Sequence, residues 1–561
     1  MPRDKNIFTL NPTSIDMKRS VFNRNSQHKT SFNLGSLIPI YMDEILPGDT
    51  VSLDVAEVIR MGTPIAPIMD NIYADIYFFF IPNRIIWNHW EQFNGQNDTT
   101  AWTQTTSYTI PKQDVGGLSS NLVGPGSLGD YFGLPLGDNS VRSGFTGIPD
   151  HVYVSELPLR AYWAVYNSWF RDENSIAPKI FTIGDTANTS IKYGTVTYGM
   201  PAKVSRFHDL FSSCLPAPQK GGSVTLPLGA NAPVVASSSL HSTTNIVQFS
   251  SSNGNGNNGM LTIGGGLNAN EIGFDDGGAR AGTTVRAIDK TNLIADLSNA
   301  TAATINQIRM AFQVQKLLEK DARGGTRYIE LLKAHFGVTS PDARLQRPEY
   351  LAGHRFRINV DQVIATADSG ASGSSVVGQT GAFSKTAQAG SMFTKSFVEH
   401  GILLGLICLR QDHTYSMGLE KYWLKSDRFD FYYPVLANIG EVPVYKSEID
   451  VRGGSSVDPG KASGVFGYQE AWYEYRYKPS RCSGYLNPIA NNSLNYWTLG
   501  DTYSSVPGLN QTFLEEGVSF LDRALQVQSS TMHQFIADFY FKAKYSRVMP
   551  LYSIPGLIDH H

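Results

Sequence analysis

The sequence predicts a mainly β protein, and three observations support that prediction. Only 17% of its 561 residues are charged, whereas glycine (52), tyrosine (27) and phenylalanine (29) are abundant, a composition that suits sheets joined by many turns. Apolar runs alternate with proline and glycine, as in LIPIYMDEILPGDTVSLDV at 37–55, which is the pattern of strands bounded by turns. The apolar run Gly401–Leu409 is about half the roughly 20 residues that span a bilayer, so it predicts a buried strand.

Residues 1–33 are interpreted as a basic N-terminal arm. The segment is polar and lacks the apolar core of a signal peptide. Cations outnumber carboxylates in it, with Arg3, Lys5, Lys18, Arg19, Arg24 and Lys29 against Asp4 and Asp16. A local excess of positive charge of this kind is typical of arms that contact an anionic partner.

Residues 34–220 are predicted to contribute strands to the main sheets, with a loop insertion at 94–150. The insertion is dense in Gly, Asn, Ser and Thr, and so long an excursion inside a compact protein usually lies at the surface and carries function. After it, aromatic residues recur at helical spacing in Leu157–Phe170, which predicts a buried helix.

Residues 221–290 are predicted to form a projecting surface insertion. From Gly221 to Asn270 the chain has no Asp, Glu, Lys or Arg, while Gly, Ser and Asn are frequent. Low charge argues against electrostatic disorder, and short alternating runs such as Met260–Ile263 favour strands within a β-rich projection.

Residues 291–561 are predicted to supply a helical pair and the remaining strands. Apolar residues at helical spacing predict helices over Ile305–Asp321 and Tyr328–Phe336, with Gly324, Gly325 and Gly337 as stops. The strand predictions are Phe356–Val360, Phe397–Leu409, Phe429–Leu436, Ala471–Tyr477 and Phe535–Lys544.

Composition excludes several classes of function. The formal net charge of -3 rules out a polycationic wrapper of nucleic acid, so any DNA contact must be local. Cys214, Cys408 and Cys482 are far apart and show no metal-ligand spacing. The sequence therefore predicts no metal site, no cofactor and, with no long apolar span, no membrane insertion.

Motifs of catalysis fail when their context is checked. Gly254, Gly256 and Gly259 match G-x-G-x-x-G, but the helix that a dinucleotide site needs does not follow. The common hydrolase signatures G-x-S-x-G and H-E-x-x-H do not occur. The pairs His208–Asp209 and Asp412–His413 are interpreted as satisfied structural groups, so the chain is predicted not to be an enzyme.

Two segments have the residues for DNA contact. In the arm these are Lys18, Arg19 and Arg24. Near the C-terminus Lys542, Lys544 and Arg547 are interleaved with Tyr540, Phe541 and Tyr545, and Tyr545 is the predicted stacking residue. Cations can meet phosphates and an aromatic ring can stack on a base. Strand alternation would place Lys542 and Lys544 on one face, although a solvated strand face has the same pattern.

Several long words in the sequence give it a close resemblance to the major capsid proteins of microviruses, in particular the gokushovirus branch. They are HKTSFNLGSLIPIYMDEILPGDT (His28–Thr50), TPIAPIMDNIYADIYFFFIPNRIIW (Thr63–Trp87), NSWFRDEN (Asn167–Asn174), CLPAPQKG (Cys214–Gly221), ARGGTRYIELLKAHFGVTSPDARLQRPEYLAG (Ala322–Gly353) and FGYQEAWYEYRYKPS (Phe466–Ser480). The match spans nearly the whole chain.

The resemblance implies an eight-stranded antiparallel jelly roll with long loop insertions and a few helices, assembled into a T=1 icosahedral shell around single-stranded DNA. The implied partners are further copies of the chain, a small basic DNA-binding protein, an internal scaffolding protein, a minor pilot protein and a host surface receptor. The implied location is the virion, and the host cytoplasm during assembly. The insertion would form a threefold protrusion for attachment, with candidate receptor contacts at Ser223, His241, Phe249, Asn255, Asn258 and Leu267.

Two other classes remain open from the residues alone. A glycan-binding β-sandwich at a bacterial surface would suit the aromatic residues and Gly/Asn loops, but would call for a secretion signal. A glycoside hydrolase would need two carboxylates facing each other across a cleft, roughly 5 to 10 Å apart.

Overall fold

The computed structural model describes residues 18–97, 106–137, 148–194, 199–222, 224, 305–342, 344–366, 377–453 and 464–552, and the backbone of six short strands between 234 and 295. The chain divides into two compact units. One comprises Met1–Pro218 with Asp321–His561, and the other comprises Gln219–Lys320.

Strands dominate the first unit and recur in short pieces in the second. In chain order they are β1 (Ser20–Asn23), β2 (Ser26–Phe32), β3 (Ile38–Ile45), β4 (Thr50–Met61), β5 (Ile72–Pro82), β6 (Lys112–Asp114), β7 (Tyr153–Ser155), β8 (Val234–Ala236), β9 (Phe249–Ser250), β10 (Met260–Ile263), β11 (Ile272–Asp275), β12 (Lys290–Thr291), β13 (Leu293–Ala295), β14 (Glu349–Arg357), β15 (Val360–Ile364), β16 (Thr380–Ser384), β17 (Thr386–Ser396), β18 (Gly401–Gln411), β19 (Glu441–Tyr445), β20 (Val465–Glu470) and β21 (Phe535–Arg547).

Helices are few and mostly short. They are α1 (Asn83–Ile86), α2 (Trp90–Phe93), α3 (Leu128–Tyr131), α4 (Leu157–Val165), α5 (Ile305–Gly324), α6 (Tyr328–Phe336), α7 (Gln511–Leu514) and α8 (Ser519–Asp522). The chain is therefore mainly β, as the composition predicts.

In the first large sheet, β21 is an inner strand that has partners on both sides. Its order is β1–β21–β4–β17, and β2 also pairs with β21. All of these pairings are antiparallel. The charge pattern predicts an arm that extends to residue 33. In the structure Ser20–Phe32 lies in this sheet instead, because β1 and β2 both pair with the edge of β21 that β4 does not occupy. Residues 1–17 lie outside the described part of the chain.

The second large sheet has the order β14–β5–β18–β3, again antiparallel throughout. The predicted buried strand at Gly401–Leu409 is confirmed as the main part of β18. Its apolar run does not alternate because both faces are covered. Leu403 and Ile407 face one hydrophobic cluster, and Leu404 and Leu406 face another.

The main hydrophobic core lies between the two sheets. It includes Val55 and Phe539 from the first sheet and Ile76 and Phe78 from the second, all at most 1% exposed. β4 and β21 alternate buried and exposed residues along their length, which is the signature of a sheet with one face in the core and one in solvent.

A second cluster covers the other face of the β18 sheet. The predicted buried helix is confirmed as α4 followed by a π-helical turn at Tyr166–Phe170. The predicted loop insertion at 94–150 differs from a purely surface excursion, because Val115, Val123 and Leu128 are fully buried in this cluster. Residues 98–105 and 138–147 of that insertion lie outside the described residues.

The predicted helical pair is confirmed as α5 and α6. Gly325 has a φ of 96° between the helices, and Gly337 has a φ of 69° after the second one. These are left-handed conformations in which glycine is not strained.

Two predicted strands are wrong. Phe429–Leu436 and Ala471–Tyr477 contain short 3₁₀ helices at Arg428–Asp430, Pro434–Leu436 and Tyr473–Tyr475 instead. Further 3₁₀ helices lie at Lys421–Leu424, Lys446–Glu448, Val451–Gly453, Gly484–Leu486 and Asn495–Trp497. A third prediction, Phe356–Val360, falls across the end of β14 and the start of β15.

The unit Gln219–Lys320 contains three nested antiparallel pairs. β8 pairs with β13, β9 with β12 and β10 with β11. The strand predicted at Met260–Ile263 is confirmed as β10.

Among the described residues, no helix combines the length and apolar character that crossing a bilayer requires. The three cysteines are free, and Cys214 and Cys408 are buried. Burial raises the pKa of the Cys408 thiol to about 12.

Candidate nucleic-acid interface

The exposed face of the first sheet carries the two C-terminal lysines. Along β21 the side chains alternate strictly, so Lys542 and Lys544 point to the exposed side, as the sequence predicts. Their register partners on β4 are Asp54 and Ser52, which share the same face. Within the described residues, no carboxylate lies within 4 Å of either ammonium group.

The described part of the N-terminal segment brings two more cations to this end of the sheet. Ser20 pairs with Arg547, so Lys18 and Arg19 immediately precede the strand that borders β21. Both are exposed. Arg19 Nη1 donates to Thr50 Oγ1 at 3.4 Å. We call the surface formed by Lys18, Arg19, Lys542 and Lys544 the basic end of the sheet.

Hydroxyl groups fill the space beside these cations. Thr50 Oγ1 and Ser396 Oγ lie 2.8 Å apart, and Thr394 Oγ1 donates to Ser52 Oγ at 2.9 Å. These side chains are short and uncharged, so they leave the lysines accessible and can donate to phosphate oxygens.

Charge at the two ends of this face differs. At the basic end, Asp54 lies opposite Lys542 in the register, and within the described residues no ion pair involves Lys18, Arg19, Lys542 or Lys544. At the other end, Asp538 accepts from Gln27 at 2.8 Å and lies 3.8 Å from Lys29 Nζ. The excess of positive charge is therefore concentrated near Lys544.

Tyr545 does not fit the base-stacking role that the sequence suggests. Its side chain is 0% exposed, since odd-numbered positions of β21 face the core. Its hydroxyl oxygen lies 2.9 Å from that of Tyr41, and burial raises its pKa. The ring has no free face for a base.

Arg547 and Arg24 are also engaged within the chain. Arg547 is 8% exposed, and its guanidinium donates to Asp49 Oδ2 at 2.9 Å and to the Glu44 carbonyl at 2.7 Å. Arg24 Nη2 donates to Asp43 Oδ1 at 2.7 Å. A phosphate would have to displace these partners, so neither residue belongs to the accessible set.

Tyr540, another aromatic residue of the same run, is exposed where the predicted stacking residue Tyr545 is buried. It has the same parity as Lys542, is 46% exposed and lies two residues away on the same face, about 7 Å along the strand. Strict alternation within β21 is the signal that finds it, because it separates Tyr540 and the lysines from Tyr545 and Arg547.

An arginine-rich cavity of about 580 Å³ in the same unit is a different kind of feature. It is lined by aromatic side chains and by Arg171, Arg206, Arg327, Arg355 and Arg410. Asp75, only 2% exposed, pairs with both Arg355 and Arg410. Arg206 pairs with Asp501. Carboxylates pair with four of the five arginines, and Arg171 donates to the Ile176 carbonyl oxygen, so each guanidinium has a partner within the chain and we interpret the cluster as structural.

The cavity lining also contains two carboxyl groups that share one arginine. Arg327 Nη1 lies 3.1 Å from oxygens of both Glu173 and Glu330. Burial raises the pKa of Glu173, and a hydrogen bond to Glu330 adds to that rise. A direct hydrogen bond brings the carboxyl groups closer than the roughly 5 Å or more that glycoside hydrolysis needs.

Of the Asp412–His413 pair, only His413 belongs to a buried ion network, whereas Asp412 is exposed and accepts from Asn71. His413 Nδ1 lies 2.8 Å from Asp501, and Nε2 lies 3.2 Å from Glu516. Burial alone would lower the pKa of His413, but the two carboxylates outweigh it and raise the pKa to about 9. With both ring nitrogens occupied, the histidine has no nucleophile to activate. No cluster of metal-ligating side chains is found among the described residues.

The predicted receptor contacts fall almost entirely outside the described residues. Ser223, His241, Asn255, Asn258 and Leu267 are not described. The backbone of Phe249 lies in β9, opposite Thr291.

Comparison with known proteins gives one consistent result. Residues 12–557 match the model of a family described as capsid protein (F protein). Capsid protein VP1 of Bdellovibrio phage phiMH2K is 38% identical over 559 residues, covering 97% of this chain and 96% of the relative. The VP1 proteins of Chlamydia phage 1 and Spiroplasma virus 4 are 35% and 37% identical, covering 99% and 94% of this chain and 98% and 94% of their own lengths.

Proposed function

This chain belongs to the phage capsid protein (F protein) family, and on that premise we propose that its copies assemble into a T=1 icosahedral shell around single-stranded DNA. Members of the family are structural proteins of virions, so the chain is a microvirus major capsid protein and not an enzyme. The proposal concerns the symmetry of the shell, its contents and its partners.

The observation that carries the proposal is the order of the strands in the two large sheets. Without β1, the two large sheets contain eight strands, which are numbered here one to eight in chain order: β2, β3, β4, β5, β14, β17, β18 and β21. One sheet then has the order 1-8-3-6 and the other 2-7-4-5. This order supports a jelly roll, an architecture of viral capsids in which two packed sheets leave their connecting loops free to meet neighbours.

The test is assembly. Co-expression with an internal scaffolding protein should give uniform closed particles under electron microscopy, whose averaged density has icosahedral symmetry with one chain per asymmetric unit. Monomers or dimers by light scattering would contradict the proposal, as would open or helical assemblies.

We place single-stranded DNA on the basic end of the sheet. Its four accessible cations and the neighbouring hydroxyls supply phosphate contact, and the exposed Tyr540, on the same face of β21 as Lys542 and Lys544, supplies stacking. Since the chain carries a net charge of -3, it cannot neutralise a genome alone. A separate small basic protein therefore shares packaging in this proposal.

The salt dependence of DNA binding tests this placement. Each lost phosphate contact should flatten the log-log salt dependence by about 0.7 for a single strand, so Lys542→Ala with Lys544→Ala should flatten it by about 1.4. Lys29→Ala is the matched control, because it removes a lysine from the same face that already lies beside Asp538. Equal slopes for all three proteins would contradict the placement.

Tyr540 offers a separate measurement of stacking. Tyr540→Leu should weaken oligonucleotide binding by about 1 to 3 kcal/mol, whereas Tyr540→Phe, which keeps the ring, should leave it nearly unchanged. If both substitutions have the same effect, stacking is not what Tyr540 contributes.

We further propose that the insertion at 221–290 projects outward and binds a host receptor. Its turn-forming composition, which is uncharged from Gly221 to Asn270, and its place in the separate unit Gln219–Lys320 support this. Replacing 223–287 with a Gly/Ser linker should preserve particles and reduce adsorption to cells. Normal adsorption would contradict the attachment role. Assembly in the host cytoplasm and incorporation of a minor pilot protein complete the proposal.

A further inference from the structure

The segment 421–439 exposes an unusual amount of apolar surface. Eight of its large side chains are at least 40% exposed: Tyr422, Trp423, Phe429, Phe431, Tyr432, Tyr433, Val435 and Ile439. The most exposed are Val435 at 92% and Phe429 at 75%. We call this surface the aromatic patch.

The size of the aromatic patch approaches that of a protein interface. Six aromatic rings, each with about 150 to 250 Å² of surface and roughly half exposed, present on the order of 600 Å². Monomeric proteins rarely expose contiguous apolar patches above a few hundred Å². A stable interface buries about 800 Å² on each partner, so the patch is large enough to form most of one.

The patch is held firmly by its own chain. Asp430 Oδ2 accepts from the backbone N–H groups of Ser426 and Asp427, both at 2.8 Å. Trp472 Nε1 donates to the Leu436 carbonyl at 2.8 Å. A surface fixed in this way loses little conformational entropy when it binds.

Both lysines of the segment are already engaged. Lys421 lies 3.6 Å from Glu448, and Lys425 lies 3.0 Å from Glu474. Burying the patch therefore leaves neither lysine unpaired. The penalty for burying an uncompensated charge does not arise at these two positions. The remaining cation of the segment, Arg428, is exposed, and its guanidinium lies 5.3 Å from the centre of the Tyr433 ring.

We propose that the aromatic patch is a principal contact between neighbouring copies of this chain in the shell, an assignment that rests on the proposed function. The patch docks onto a different surface of the neighbour, because head-to-tail contacts of this kind close rings about the symmetry axes of a shell. Its tyrosine and tryptophan content is that of interface hot spots, where a few aromatic anchors carry most of the binding energy.

Photo-crosslinking in mixed-isotope particles identifies the occupant. A photoreactive phenylalanine derivative replaces Trp423, and subunits grown in heavy and light isotopes are mixed before assembly with the scaffold. We expect crosslinked peptide pairs that join a heavy chain to a light one in the assembled particles and not in the unassembled subunits.

Other occupants give other products. Pairs of one isotope only would place a segment of the same chain on the patch, and crosslinks confined to another virion protein would place that protein there. Either result overturns the inference while the proposed function stands. If the wild-type chain forms no particles, the inference and the proposed function both fail.

Substitution supplies a second readout. Trp423→Ser and Phe429→Ser should each weaken association at this contact by about thirtyfold or more, as loss of a hot-spot residue does, and should lower particle yield. The melting temperature of the unassembled subunit should not change, since both side chains are exposed. Ile180→Ser, at a position 76% exposed elsewhere in the unit, controls for lost surface apolarity. Unchanged yield in both patch variants would contradict the inference.

Discussion

Glu57 is a buried carboxyl group whose replacement should change how stability depends on pH. It lies on the core face of β4, 1% exposed, and neither carboxylate oxygen accepts a hydrogen bond among the described residues. The nearest basic group is His354, whose Nδ1 lies 3.8 Å away. Burial raises the pKa of Glu57 from 4.5 to about 7.

The sign and size of the effect follow from linkage. Between pH 4.5 and about 7 the folded chain holds a proton on Glu57 that the unfolded chain has released, so the free energy of unfolding falls as pH rises through that window. A tenfold difference in acidity between the folded and unfolded chains corresponds to about 1.4 kcal/mol, so the loss amounts to roughly 3 kcal/mol once the pH exceeds the pKa of the folded chain.

Glu57→Gln removes this penalty because the amide never ionises. The variant should resemble the wild type in stability near pH 4.5 and exceed it by about 3 kcal/mol at about pH 8. Urea unfolding of the unassembled subunit, followed by tryptophan fluorescence at several pH values, measures the difference. Glu44→Gln, at a site on β3 outside the core, is the matched control and should show no such growth.

A difference between Glu57→Gln and the wild type that is constant across the pH range would refute the reasoning. It would mean that the carboxyl group ionises as readily in the folded chain as in the unfolded one. His354→Gln separates the effect of burial on Glu57 from the effect of the nearby imidazole. A penalty that comes from burial should persist in that variant.

Three further predictions concern the core. The pKa of His413 is raised from 6.5 to about 9. The stability that this residue contributes is therefore fully present below the lower value and is lost as pH rises through the higher one. His413→Gln should lower the melting temperature more at about pH 6 than at about pH 10, and an equal decrease at both would contradict this. Phe541→Ala should cost about 3 to 5 kcal/mol in urea unfolding because its ring is 1% exposed, and Phe541→Leu should cost clearly less. Tyr545→Phe removes the hydroxyl bond to Tyr41, whose other partner is Asp43 at 3.4 Å, and should cost about 1 kcal/mol while leaving the DNA content of particles unchanged. Reduced DNA content would return Tyr545 to the interface.

The sequence predicts those elements whose pattern has a local cause. β18 is recognisable because both of its faces are covered, so its run is apolar throughout. β21 is recognisable by alternation, and α6 by helical spacing that ends at Gly337. Each pattern arises within a short stretch of chain and needs no knowledge of the partner.

The failures arise where the partner is distant or lies outside the chain. Ser20–Phe32 looks like an arm because its strand character depends on β21. Phe429–Leu436 is rich in aromatic residues and looks like a buried strand, yet the side chains are exposed and the backbone forms 3₁₀ turns. Apolar residues that serve a contact with another molecule have the same composition as a core strand, so composition alone does not separate them.

The candidate site is predictable only in part for a related reason. Lys542 and Lys544 are recognisable because their spacing implies a common face. Tyr545 is close in sequence to the lysines, although its parity places it on the opposite face. Applying the two-residue period to the aromatic residue as well as to the cations selects Tyr540.

The pairing of β21 with β2 has a consequence for how the subunit is made. Gln27 and Asp538, which are hydrogen-bonded in the finished sheet, are 511 positions apart in the chain. A ribosome therefore releases β1, β2 and β4 long before the strand that joins them exists, and pairings of such long range form slowly. A chain that terminates early leaves these edges open, in a state prone to aggregation. Completion of the sheet thus has to wait for β21, and a chain truncated before Phe535 lacks the strand that joins the others.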